Sequence, residues 1–236
     1  MVADQQPLSS ALMGPVSRLR DALSVPRFEA YRVDSTTTDQ ECLARYMWNT
    51  ALCESLYPTI QHLEVALRNS IHDACTEAFG SEFWFDDPTL ISDTTTLRII
   101  ANAKAALTRA HKPIEGGRVV AGLHFGFWRQ LFFNKYEKTL WRKIIKAVFP
   151  YAPPAAQQRT VVGPMVHRAK ELRNRVFHHE PVLHWADLRK QHQELHTVIG
   201  WVSPPLATVA KASDRFPEVY GRDPLRIVAT LDDLPI

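Results

Sequence analysis

The sequence predicts an all-α protein, a multi-helix bundle with extended N- and C-terminal segments. Apolar residues recur at three- and four-residue steps through most of residues 38–202. No stretch shows the two-residue alternation of a half-buried strand, and no repeat of solenoid length is present. The chain divides on this reading into an N-terminal arm at 1–37, a helical domain at 38–202 and a C-terminal tail with short helices at 203–236.

The arm holds several prolines and the run Ser35-Thr36-Thr37-Thr38 around one short helix, Val16 to Leu23. From Asp39, read as a cap, Leu43, Tyr46, Met47, Thr50 and Cys53 follow a helical period. Pro58 is expected to kink this helix or to begin the next. Leu56, Ile60, Leu63, Leu67, Ile71, Cys75 and Phe79 then form a nearly continuous apolar stripe ending at Gly80. On its polar side Glu64 and Arg68 are spaced for an ion pair, and Asn69 follows. After an aromatic loop at 81–88, Ser92 or Asp93 caps a helix to about Ala110. Val119 to Phe133 is apolar nearly all round and reads as a buried helix or, second, as a strand pair broken by its glycines. Glu137 to Val148 is amphipathic. A long helix then carries Val162, Met165, Val166, Ala169, Leu172 and Val176, and another runs from His184 to Trp201.

Composition narrows the class. A 45% hydrophobic content with 10% aromatics supplies a globular core. The first residues lack the basic start and apolar run of a signal peptide, and the most apolar stretch is interrupted by His124 and Arg129, so no membrane span is expected. Cys42, Cys53 and Cys75 are an odd count without CxxC spacing, which points to reduced core thiols in a cytoplasmic protein. A formal charge of +3 does not by itself announce a nucleic-acid partner.

Reactive side chains crowd into Glu171-Leu172-Arg173-Asn174-Arg175-Val176-Phe177-His178-His179-Glu180-Pro181. Guanidinium groups bind phosphate oxygens as a fork, and imidazole exchanges protons near neutral pH. Pro181 disfavours helix at Glu180, so the helix should end within a residue or two of His179, where unpaired carbonyls favour an imidazolium. Arg173 and His178 are five apart and diverge by roughly 140° on an ideal helix, whereas Asn174 and His178 nearly share a face.

Arg173-Asn174-Arg175-Val176-Phe177-His178 fits the RNxxxH form of the Arg/His motif of the HEPN superfamily, all-helical domains that include many RNA-cleaving toxins. Leu63-Glu64-Val65-Ala66-Leu67-Arg68-Asn69, the aromatic loop from Gly80 to Trp84 and Phe125-Gly126-Phe127-Trp128 precede it in order. Together these segments resemble the Abi-like branch, named for abortive infection of phage-attacked bacteria, over roughly Gln40 to Trp201.

The resemblance implies a HEPN-like bundle and a metal-independent endoribonuclease without cofactor, its site completed across a homodimer. Arg173 and His178 correspond to the catalytic pair and Asn174 to the supporting amide. His179, Glu180, Glu64, Arg68 and Asn69 fall in supporting positions. Arg168, Lys170 and Arg175 extend a basic surface toward flanking RNA phosphates, or else form a solvated helix face. Antiviral defence, and an antitoxin or regulatory partner, come with the family alone.

Two rival readings stand beside this one. A HEPN-like module can bind RNA or a protein without cutting. A metal site would draw on His178, His179, His184, His192 and His196; His192 and His196 are at ligand spacing, but Glu194 is the third residue of His192-Gln193-Glu194-Leu195-His196, so the HExxH signature is not met and no metal is expected.

Overall fold

A computed structural model describes residues 15–223. The expected arm before Pro15 and the tail after Asp223 lie outside the described residues. The fold is all-α, with no strand among the described residues. No helix among them is long and apolar enough to cross a membrane.

The helices are α1 (Pro15–Leu23), α2 (Val25–Glu29), α3 (Asp39–Phe79), α4 (Thr94–Arg109), α5 (Gly116–Gly122), α6 (Phe125–Gln130), α7 (Arg142–Val148), α8 (Arg159–Phe177), α9 (Leu188–Val202), α10 (Pro204–Ala212) and α11 (Phe216–Tyr220). The described residues form two compact units, one of residues 15–55, 179–184 and 215–223, the other of Leu56–His178 and Trp185–Asp214. One boundary, between His178 and His179, falls inside the RNxxxHHEP stretch. Helix α3 contributes to both units.

In the first unit the start of α3 is fixed by a capping box. Thr38 Oγ1 accepts the Glu41 N–H at 3.2 Å, and the Glu41 carboxylate accepts the Thr38 N–H at 2.8 Å. The cap is therefore Thr38. Asp39, expected in that place, is the first helical residue and pairs with Arg32 at 2.5 Å. Phe28, Tyr31, Cys42, Leu43 and Ala44 form a small core covered by Val16, Leu19, Leu23, Tyr46 and Leu183. Buried Asn49 closes the 179–184 segment onto this core, its Oδ1 accepting the N–H of Val182 at 2.7 Å and of Leu183 at 3.3 Å.

The second unit is built on the α3 stripe. Leu56, Ile60, Leu63, Leu67, Ile71 and Cys75 are all buried. The helix runs straight on in sequence through Pro58 rather than restarting there. Losing one backbone donor costs about 3 kcal/mol, and burial of aliphatic side chains at about 1.5–3 kcal/mol each outweighs it. Gly80 ends α3 in the left-handed conformation at φ 70°, where a side chain would be strained. Trp84, Phe85, Phe127, Trp128, Trp141 and Phe149 supply the largest core side chains.

Asp93 caps α4, accepting the Thr96 N–H at 2.9 Å. It also accepts the Tyr136 hydroxyl at 2.7 Å and pairs with Lys135 at 2.8 Å. Burial opposes its ionisation, yet Lys135, Thr96 and Tyr136 together hold the carboxyl well below its ordinary range.

Val119 to Phe133 is not one buried helix, nor a strand pair. It falls on α5 and α6, separated by Leu123 and His124 in extended conformation. Gly126 marks the restart: a Cβ there would lie 2.8 Å from the His124 ring nitrogen Nδ1. Glu137 to Val148 is helical throughout but begins as a π-turn over Glu137–Trp141. Arg159 sets the start of α8 through Glu137 at 2.6 Å, the Phe132 carbonyl at 2.8 Å and Asn134 at 3.2 Å. Cys42 and Cys75 are buried core thiols, while Cys53 is half-buried and desolvation pushes it up to about 11.

Candidate functional site

Helix α8 packs on α6 and α9, and its buried face of Val162, Val166, Ala169, Leu172 and Val176 leaves the intervening polar residues outward. The helix ends at Phe177, two residues before His179. His178 is the cap residue, its backbone N–H donating to the Asn174 carbonyl at 2.8 Å. His179 follows at φ 57°, a left-handed position usually given to glycine.

The motif side chains take distinct places. Arg173 and Asn174 are half-buried, while Arg175, Phe177, His178, His179 and Glu180 are exposed. Arg173 Nε lies 3.5 Å from Glu64 Oε2, with both side chains about three-quarters buried. That Nε is enclosed and has no aligned acceptor, so the contact is an ion pair without a hydrogen bond. The Arg173 guanidinium also lies 4.1 Å from the centroid of the Phe177 ring, a cation–π distance. Phe177 in turn meets Tyr57, ring centroids 5.6 Å apart. Phe177 and Tyr57 are 38% and 46% exposed, which makes this aromatic pair part of the surface beside Arg173.

Glu64 therefore pairs with Arg173 and not with Arg68, the i+4 partner read from sequence. Arg68 instead makes a long 3.4 Å contact with Asn69. Arg168 is held in both arms by Glu194 at 2.7 and 2.9 Å, tying α8 to α9. Lys170 pairs with Glu171 at 2.9 Å, and the Arg175 guanidinium lies 5.7 Å from the Trp185 ring. The His179 carbonyl accepts from Arg27 at 3.1 Å. The tertiary structure thus brings together Arg173, Glu64, Phe177 and Tyr57, with His178 one residue past the helix end. It does not bring Arg168 or Lys170 to that group. Tyr57 was missed because an exposed tyrosine before a proline has no sequence signal of its own.

A second constellation lies on α9. His192 Nε2 is 3.0 Å from Asp214 Oδ2 and His196 Nε2 is 3.1 Å from the same oxygen. His192 is 5% exposed overall, and the side chains of His196 and Asp214 are 11% and 9% exposed. Burial lowers the His192 imidazole below its ordinary value against the pull of Asp214, with His196 adding to the lowering. The remaining histidines of the sequence cluster do not join: His184 contacts the Ala30 carbonyl at 3.0 Å, and His178 and His179 are exposed.

Compared with protein-family models, curated proteins and solved structures, the chain matches none.

Proposed function

We propose that this protein is a metal-independent endoribonuclease of the toxin or abortive-infection type, a HEPN-like chain whose RNxxxH motif is completed across a homodimer. The observation that carries the reading is the Glu64–Arg173 ion pair. It joins two segments 109 residues apart that the resemblance had marked separately. A motif arginine steered by a carboxylate from the other segment is what a positioned phosphate ligand needs, since a free guanidinium would lose more conformational freedom on binding.

In this mechanism the ribose 2′-hydroxyl attacks the adjacent phosphorus and the 5′-oxygen leaves. His178, exposed at the end of α8, takes the proton of the attacking hydroxyl or returns one to the leaving oxygen, and the partner copy supplies the second imidazole. Arg173 neutralises charge building on the phosphate oxygens, while Asn174 supports the same phosphate. Tyr57 and Phe177 offer faces on which unpaired bases stack, a sequence-tolerant contribution suited to single-stranded RNA. Arg175, exposed on the same helix, adds charge toward flanking phosphates.

The test is incubation of single-stranded RNA with the protein and its His178→Ala variant in excess chelator, at a temperature where both are folded by circular dichroism. Wild type should leave 2′,3′-cyclic phosphate ends and the variant should cut at least about 100-fold more slowly. Intact RNA with wild type, or equal cutting by the variant, rejects the ribonuclease. RNA bound but uncut would instead favour the binding-module reading.

A further inference from the structure

We infer that His192, His196 and Asp214 form a binding site for one divalent transition-metal ion, Zn²⁺ foremost, independent of the ribonuclease reading. His192 and His196 are four apart on α9, so both rings leave the same face, and their centroids are 4.7 Å apart. Asp214 arrives from the turn after α10, where its N–H donates to the Lys211 carbonyl at 3.3 Å. The three donor atoms, one from each residue, all lie within 4.8 Å of one another. All three residues belong to the same compact unit.

The donor spacing fits a small four-coordinate ion. Zinc held at about 2.0–2.2 Å by nitrogen and oxygen sets its ligands roughly 3.3 Å apart in a tetrahedron. Both Nε2 atoms are already within 3.1 Å of Asp214 Oδ2, so a few tenths of an ångström of side-chain rotation opens the site. Two imidazoles and one carboxylate suit Zn²⁺ and its first-row neighbours, whereas Mg²⁺ and Ca²⁺ prefer all-oxygen shells. With three protein ligands the fourth position falls to water.

One carboxylate and two imidazoles converge in a site that is largely closed to water, a donor set that a single dication can hold together. Bound metal would also tie the end of α10 to α9.

The test uses untagged full-length protein stripped with chelator and then titrated with Zn²⁺ alone. One equivalent per chain should bind, with Tm raised by about 5 °C under saturating zinc. His196→Gln and Asp214→Asn should each weaken binding by at least about 100-fold, more than loss of an outer-shell contact does. Cobalt titration of the wild-type chain supplies a readout that needs no variant: intense visible bands of four-coordinate Co²⁺ are expected. Failure to bind zinc, equal binding by both variants, or only the pale spectrum of six-coordinate Co²⁺ overturns the site. His178→Ala should bind zinc as wild type does, which separates this result from the ribonuclease test.

Discussion

The end of α8 and the middle of α9 offer much the same side-chain chemistry in opposite settings. On α8, Arg173 keeps one ion pair to Glu64 and one ring contact, and His178 lies exposed where the helix stops. On α9, His192 and His196 turn inward and share Asp214 in a nearly closed site. An imidazole at an exposed helix end can meet a large external ligand such as a nucleic-acid strand. Imidazoles converging inside the protein can serve only something small, an ion or a proton. Burial, more than residue type, therefore separates the two regions.

The largest expected effect falls on the exposed site. Mixing Arg173→Ala and His178→Ala protomers should give RNA cleavage above that of either variant alone but below wild type, because the mixed dimer regains one arginine and one histidine while lacking the second imidazole. Equal inactivity of the mixture and its parents in a cleavage assay, with mixed dimers verified by sedimentation, would leave each chain with its own separate site.

Stability should sort the two regions the other way. Asp214→Asn is expected to cost about 2 kcal/mol in urea unfolding, since a buried charged acceptor is lost beneath two imidazoles. The exposed His178→Ala change should stay within about 0.5 kcal/mol. Equal costs at both positions would erase the contrast.

A smaller effect is expected at Glu64. Glu64→Gln removes the charge that steers Arg173 and should slow cleavage about tenfold while changing stability by less than about 1 kcal/mol, the scale of partly exposed ion pairs. An unchanged rate would make the pair merely structural. Tyr57→Ala should weaken single-stranded RNA binding by about tenfold in a filter or polarisation assay, the scale of one lost base stack.

The smallest change concerns the turn itself. His179 is held at φ 57°, so His179→Gly should relieve backbone strain and raise stability by up to about 1 kcal/mol, against the extra unfolded-state freedom of glycine. A clear loss of stability at the denaturation midpoint would mean that the His179 ring is needed where it stands.

What sequence periodicity alone determined was the helical inventory. The stripe from Leu56 to Cys75, a cap at Ser92 or Asp93 and the termination of α8 within two residues of His179 were all legible, because local spacing and local backbone chemistry decide them. The crowded Arg173–His178 stretch was legible for the same reason, since its residues are neighbours along one helix end. Local competition was harder to read: Thr38 outranked Asp39 as cap because Glu41 could return its hydrogen bond, and the apolar run at Val119 broke at Leu123 and His124.

Only the tertiary structure decided the pairings. Glu64 had Arg68 at helical spacing and took Arg173 instead, and Arg168 went to Glu194. The carboxylate that His192 and His196 share was not the glutamate between them but Asp214, after α10 and 18 residues beyond His196. Side-chain partners across elements depend on which helix faces are packed together, and that is set by burial of the whole apolar surface. The sequence therefore wrote which reactive groups this protein carries, and packing chose which of them meet.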